Sequence, residues 1–176
     1  MDILLIIDMQ GAAFDASDKF DSDGVVSRIN HLSKSIRENQ GKVVFIQHDG
    51  TEEEGLSPNT PTWEIAASLL KSDADAIIRK TTNDAFCNTE LHSLLTALNP
   101  KKLIISGWAT DLCVDSTIRS AVSLVYHVVV ASDCHTVSNR PHLRADKIIE
   151  HHNWVWRNLI TSGNSVEVAP QQLLCR

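Results

Sequence analysis

At 176 residues, 43% hydrophobic and 22% charged, the chain has the size and composition of one globular domain, residues 1–176, and is excluded from the disordered, collagen-like, heptad and disulfide-scaffold classes. Sixteen basic against 22 acidic side chains give a formal charge of -6; Lys and Arg are scattered singly, so nucleic acid is not expected as a partner. The four cysteines, at 87, 113, 134 and 175, form no C-x-x-C pair, which removes the usual support for zinc or dithiol chemistry.

The chain opens on an apolar run, residues 3–7, with no basic flank or cleavage site before Asp8, and reads as a strand instead of a signal peptide. No stretch approaches the roughly 18 apolar residues of a membrane span, so no membrane partner and a reducing, cytoplasmic setting are expected. Val25, Val26, Ile29, Leu32 and Ile36 then line one helical face, with Ser22 or Asp23 as its cap and Gly41 beyond its end. Residues 42–47 form a second strand.

A polar stretch, residues 48–62, contains Glu52, Glu53 and Glu54 and reads as a surface loop beside the ligand-carrying edge, its acidic triplet a solvated face. Trp63, Ala66, Leu69 and Leu70 follow a Thr-Pro-Thr start and predict a second helix. Residues 76–79 form a third strand, and Leu91, Leu94, Leu95 and Leu98 a helix that stops before Pro100. Residues 102–106 are a fourth strand, followed by a helical stripe through Val114, Thr117, Ile118, Ala121, Val122 and Val125. Residues 127–131 and 165–168 complete six strands, with a helix in 141–162 between them. Apolar strands alternating with amphipathic helices predict an α/β fold: a three-layer α/β/α, doubly wound, mainly parallel six-stranded sheet.

In such a sheet ligands bind outside the carboxyl ends of the strands. Asp8, Lys80, the 107–113 segment and Asp133 stand there. Asp8, directly after an apolar strand, is placed where desolvation raises a carboxyl pKa, useful to a proton shuttle, or else it caps the following loop. Lys80 supplies either fixed positive charge in the crevice or a snorkelling surface ammonium. Cys113 follows a strand and opens a helix whose cap would be Thr110 or Asp111, a corner whose dipole favours thiolate and whose N–H groups suit an oxyanion. A buried structural cysteine is the other reading. Cys87, Cys134 and Cys175 lack this combination of strand end and helix start.

Ile6-Ile7-Asp8-Met9-Gln10, Lys80 with Ala85-Phe86 and Thr89-x-Leu91, Gly107-Trp108-Ala109-Thr110-Asp111-Leu112-Cys113-Val114, and Val128-Val129-Val130-x-x-Asp133 together resemble the isochorismatase-like cysteine hydrolases, which include nicotinamidases and N-carbamoylsarcosine amidases. The resemblance implies a Rossmann-like three-layer fold and a catalytic triad of Asp8, Lys80 and Cys113. It also implies a cis peptide between Trp108 and Ala109, and an oxyanion hole from the backbone N–H groups of Ala109 and Cys113. Homo-oligomers are common in the family. His151-His152-Asn153-Trp154-Val155-Trp156 offers a candidate contact, although a core place for both tryptophans is the leading reading.

Two departures bear on the substrate. Nicotinamidases carry an Asp-x-His metal pair with a further His after the second strand, where this chain reads Gln47-His48-Asp49-Gly50; no metal and no other cofactor are expected. Trp108 stands where the family often has a smaller aliphatic residue and either narrows the pocket or packs beneath it. Phe14, His48, Phe86 and Trp108 are the expected substrate-binding residues.

The expected activity is therefore metal-independent cleavage of a C–N bond in a small amide, ureide or carbamoyl molecule. Vinyl-ether hydrolysis and a catalytically silent binding protein are the alternatives. Asp8 as a phosphoryl acceptor lacks the second acidic residue that chemistry needs, Gln10 standing two positions on, and no G-x-G-x-x-G follows the first strand.

Overall fold

A computed structural model describes residues 1–14 and 18–175. Six strands, β1 (Asp2–Ile7), β2 (Lys42–His48), β3 (Ala76–Lys80), β4 (Lys102–Trp108), β5 (Val128–Thr136) and β6 (Glu167–Ala169), form one sheet in the order β3-β2-β1-β4-β5-β6. Every pairing is parallel. The helices are α1 (Gly11–Phe14), α2 (Ser22–Glu38), α3 (Leu91–Leu98), α4 (Asp115–Ser123), α5 (Ala145–Arg157) and α6 (Gln171–Leu174), with a π-helical turn at Thr110–Val114.

The central strands are apolar on both sides because each side meets a layer of helix. Leu4, Ile6, Val43, Phe45, Ile104 and Val129 face the Val25, Ile29, Leu32 and Ile36 stripe of α2. Ile3, Leu5, Ile7, Val44, Ile46, Leu103 and Ile105 face Leu91 and Leu95 of α3, Ile118 and Ala121 of α4, and Trp156 of α5. The chain leaves β1 toward β2 on one side while β4 lies on the other, and that reversal opens a crevice at the carboxyl ends of β1 and β4. Gly107 makes their approach possible: its φ is +122° and a Cβ there would overlap the backbone of Ile7.

Several local expectations are corrected. No helix forms over residues 63–70, which are turns and bends with an antiparallel bridge from Ile65 to Gln10, so β and α do not strictly alternate between β2 and β3. Trp63 is buried instead through its own tertiary bonds: its indole N–H donates to Asp49 at 2.9 Å, and its carbonyl accepts from Gln10 and Gln47 at 2.7 and 3.0 Å. The N-cap of α2 is Asp21, in the left-handed region, and its carboxylate is drawn to Arg28 at 2.7 Å and makes no capping bond. β5 runs past residue 131 to Thr136, so Asp133 and Cys134 lie within the strand. The tryptophans of α5 divide, Trp156 fully buried and Trp154 61% exposed, as positions 200° apart on a helix must.

Candidate active site

Each candidate group is placed by a strand end. β1 stops at Ile7 and Asp8 turns into the left-handed region (φ 49°), its N–H held by the Ile46 carbonyl at 2.9 Å, which aims the carboxyl group into the crevice. Lys80 is the last residue of β3. The Trp108–Ala109 peptide after β4 is cis, and Cys113 follows in the π-helical turn that leads into α4.

The three side chains converge. Lys80 Nζ lies 2.6 Å from Asp8 Oδ2 and 3.5 Å from Cys113 Sγ, and donates to the Thr82 carbonyl at 2.9 Å. Lys80 and Asp8 are 2% and 3% exposed, so their attraction acts with little solvent screening. Burial pushes the Asp8 carboxyl up, with the Lys80 ammonium working against it. Burial also pushes the Cys113 thiol up to about 12, the Asp8 charge adding to the effect and Lys80 opposing it. That push opposes the turn's dipole, which favours thiolate.

Neither Thr110 nor Asp111 caps the turn; Ala109 holds that position without a side-chain bond. Both side chains are tethers instead. Thr110 Oγ1 pairs with His135 Nδ1 at 2.8 Å, and Asp111 takes a two-pronged bond from Arg140 at 2.8 and 2.7 Å. Burial works against the Asp111 charge, yet the Arg140 guanidinium holds its carboxyl below the usual range.

Asp8 and Cys113 line a cavity of about 400 Å³ with Gln10, His48, Glu54, Leu56, Thr81, Thr82, Asn83, Trp108 and Leu112. His48 and Trp108 thus stand where a ligand would. His48 Nδ1 is 3.5 Å from Lys80 Nζ, and Trp108 both lines the cavity and packs on the core beneath Lys19, whose Nζ sits 5.4 Å from its ring centre. Phe14 and Phe86 do not line this cavity. Phe14 packs on the core of the α2 face, and Phe86 packs on the opposite core and stacks on Tyr126 with ring centres 5.9 Å apart; for both, apolar packing outcompetes exposure to the crevice. Asp133 also points elsewhere, accepting the Gln171 N–H at 2.8 Å.

The donor set after β2 does not fit a metal. Asp49, the carboxylate next to His48, is bound by Arg79 Nε at 3.0 and 2.9 Å and by the Trp63 indole. Among the described residues no three His, Cys, Asp or Glu side chains group around a common point, and no helix is long and apolar enough to cross a membrane.

Sequence reasoning missed Asn83, whose Oδ1 lies 3.5 Å from Cys113 Sγ, and Gln10, whose amide clasps the His48 backbone through Nε2 at 3.0 Å and Oε1 at 2.9 Å. Both lie inside the segments already marked by Asp8 and Lys80, which was the signal available. It missed His135 too, whose partners are remote in sequence.

The sequence profile of the isochorismatase domain matches residues 2–165. A streptothricin hydrolase of Streptomyces noursei is 30% identical over 139 residues, which cover 78% of this chain and 50% of that protein; the chain spans about half the length of this relative. A ureidoacrylate amidohydrolase of Variovorax paradoxus is 28% identical over 167 residues, covering 74% of this chain and 66% of that protein. The crystal structure of an isochorismatase family protein superposes with a TM-score of 0.85 at 30% identity, over 95% of this chain and 96% of that one.

Proposed function

Because the chain belongs to the isochorismatase family of hydrolases, we propose that it is a metal-independent cysteine hydrolase cleaving a C–N bond of a small amide, ureide or carbamoyl compound through a Cys113 acyl-enzyme. The observation that carries this reading is the placement of a carboxylate and a thiol against one buried ammonium, at 2.6 and 3.5 Å, on the wall of a cavity. Its kinship with an amidohydrolase supports the choice of bond.

A neutral thiol needs a base at the moment of attack. Asp8, its carboxyl raised by burial, takes the thiol proton as Sγ bonds to the carbonyl carbon and the π pair moves onto oxygen. The backbone N–H groups of Ala109 and Cys113 receive that oxyanion. The C–N bond then breaks as Asp8 hands the proton to nitrogen, and the amine leaves. Water attacks the thioester, Asp8 takes its proton, and the C–S bond breaks with return of that proton to sulfur. Lys80 keeps Asp8 ionised before each proton is taken and offsets the charge that develops on sulfur.

Intact-mass measurements during incubation with a panel of amides, ureides and carbamoyl compounds should show a transient acyl adduct that maps to Cys113. Cys113→Ala should show none, and chelator should leave the adduct unchanged. A full adduct on the Ala variant would refute Cys113 as nucleophile, and unmodified binding of every compound that binds would point to a silent member of the fold.

A further inference from the structure

Resting on the reading of Cys113 as nucleophile and Asp8 as base, we propose that Asn83 is a substrate-sensing residue: it accepts the thiol proton in the resting site and gives up that place to a substrate N–H. A thiol has a single proton to give. In the resting site that proton is directed to Asn83 Oδ1, 3.5 Å from Sγ, while Lys80 donates to the sulfur from the other side. Asp8 stands close enough to the thiol for that contact to work against the upward push of burial on its carboxyl. Asp8 Oδ2 is occupied by Lys80, but Asp8 Oδ1 is buried with no hydrogen-bond partner, an unusual state for a carboxylate oxygen.

Asn83 is carried by a fixed stretch of backbone. It is exposed at the cavity wall, yet the backbone on either side is pinned. The Thr82 carbonyl takes the Lys80 ammonium at 2.9 Å, the Asp84 carboxylate accepts from Ser120 Oγ at 2.6 Å and the Phe86 N–H at 2.9 Å, and the Ala85 N–H donates to Thr117 at 3.1 Å. Two of these partners, Thr117 and Ser120, belong to α4, the helix that continues the nucleophile turn. The backbone that carries Asn83 and the turn that carries Cys113 are therefore held in one frame.

A carbonyl compound with an N–H beside its carbonyl can place that N–H on Asn83 Oδ1 as the carbonyl approaches sulfur. The displaced thiol proton then turns to Asp8 Oδ1, satisfying the orphaned oxygen and setting up its transfer. An ester, or an amide with a fully substituted nitrogen, has nothing to exchange for the thiol proton. The substrate class narrows accordingly to primary or secondary amides, ureides and carbamoyl groups, with Asn83 the residue that discriminates.

The test is the rate of Cys113 alkylation, resolved by peptide mass mapping, with 2-chloroacetamide and with its N,N-dimethyl counterpart, in which methyl groups replace both N–H hydrogens. In the unmodified protein the ratio of the two rates should exceed that of N-acetylcysteine by up to about tenfold, the share of one net hydrogen bond. In Asn83→Ala the ratio should collapse to the free-thiol value, and in Asn83→Asp, which keeps the acceptor, it should persist even if both rates fall. An equal ratio in the unmodified protein and Asn83→Ala, or no preference in the unmodified protein, overturns the proposal. Its failure is distinct from that of the hydrolase reading, which fails when amides leave no adduct on Cys113; a Cys113 that resists both reagents in every variant overturns the two together.

Discussion

Lys80 is the residue whose removal exposes how the site is held together. Its ammonium and the Asp8 carboxylate are both buried and 2.6 Å apart, so neither charge has water to fall back on. Lys80→Met leaves Asp8 with a buried charge and no counterion, and the carboxyl responds by taking up a proton, which disables it as a base. Removing one partner of such a pair costs about 3–5 kcal/mol. Asp8→Asn should cost a similar amount, since it strands the ammonium. The double variant should cost clearly less than the sum, because both charges have gone. Denaturant unfolding of the three variants measures this, and additive losses would mean that the two groups are not coupled. All three should lose the acyl adduct on Cys113. That Asp8, Lys80 and Cys113 stand at the ligand-carrying strand ends was legible from the apolar runs before them, but the same pattern marked Asp133, which binds Gln171 instead, and only the family resemblance grouped the three. The state of the thiol was not legible, because burial by neighbours from other elements outweighs the dipole of its own turn.

The nucleophile turn is an element that its own sequence does not cap. Thr110–Val114 is held from outside by Arg140 on Asp111 and by a buried chain from Thr110 to His135 Nδ1, from His135 Nε2 to Asn153 Oδ1 at 3.2 Å, and from Asn153 Nδ2 to the Ser132 carbonyl at 3.0 Å. Asn153 Nδ2 donates to the strand, which leaves Oδ1 as an acceptor and fixes the proton of His135 on Nε2, so Nδ1 accepts the Thr110 hydroxyl. The chain works only with a neutral imidazole, and burial pushes His135 down to about 4 from an ordinary 6.5. In the unfolded chain His135 protonates near 6.5 and in the folded chain it does not. Its contribution to stability is therefore complete above pH 6.5 and is lost as pH falls from 6.5 toward about 4, roughly 3 kcal/mol in all. Urea unfolding at pH 7 and pH 4.5 should show a loss in the unmodified protein about 2–3 kcal/mol greater than in His135→Asn, which cannot titrate. Equal losses would remove His135 from this role. Thr110 and His135 lie 25 residues apart, and no periodicity links them, so this support was beyond reach of the sequence. The missing helix at residues 63–70 has a related cause: its apolar spacing was real, but Trp63, Asp49, Gln10 and Gln47 use the same residues for tertiary bonds, and those outweigh a weak local propensity.

For the molecule as a whole, the question is whether two apolar layers on opposite faces of one sheet behave as one core. They share strands residue by residue: Phe45 faces the α2 layer, while Val44 and Ile46 on either side of it face the layer containing Trp156. Neither layer can come apart without stripping the strands that the other needs. That sharing made the fold class legible, since strands apolar at every position are interpretable only with helices on both faces. It also predicts one cooperative transition. Phe45→Ala and Trp156→Ala each open a cavity in a fully packed layer and should cost about 3–5 kcal/mol, a large part of the 5–15 kcal/mol typical of a domain. Each lesion should shift far-UV circular dichroism and tryptophan fluorescence together, to the same midpoint. Were the layers independent, Phe45→Ala would loosen the α2 face alone, and the fluorescence, which sums Trp108 of that face and Trp156 of the other, would change in two steps. Coincidence in both variants would also explain how the crevice between β1 and β4 is kept rigid, because the strand ends that carry Asp8 and Trp108 cannot yield on one face alone.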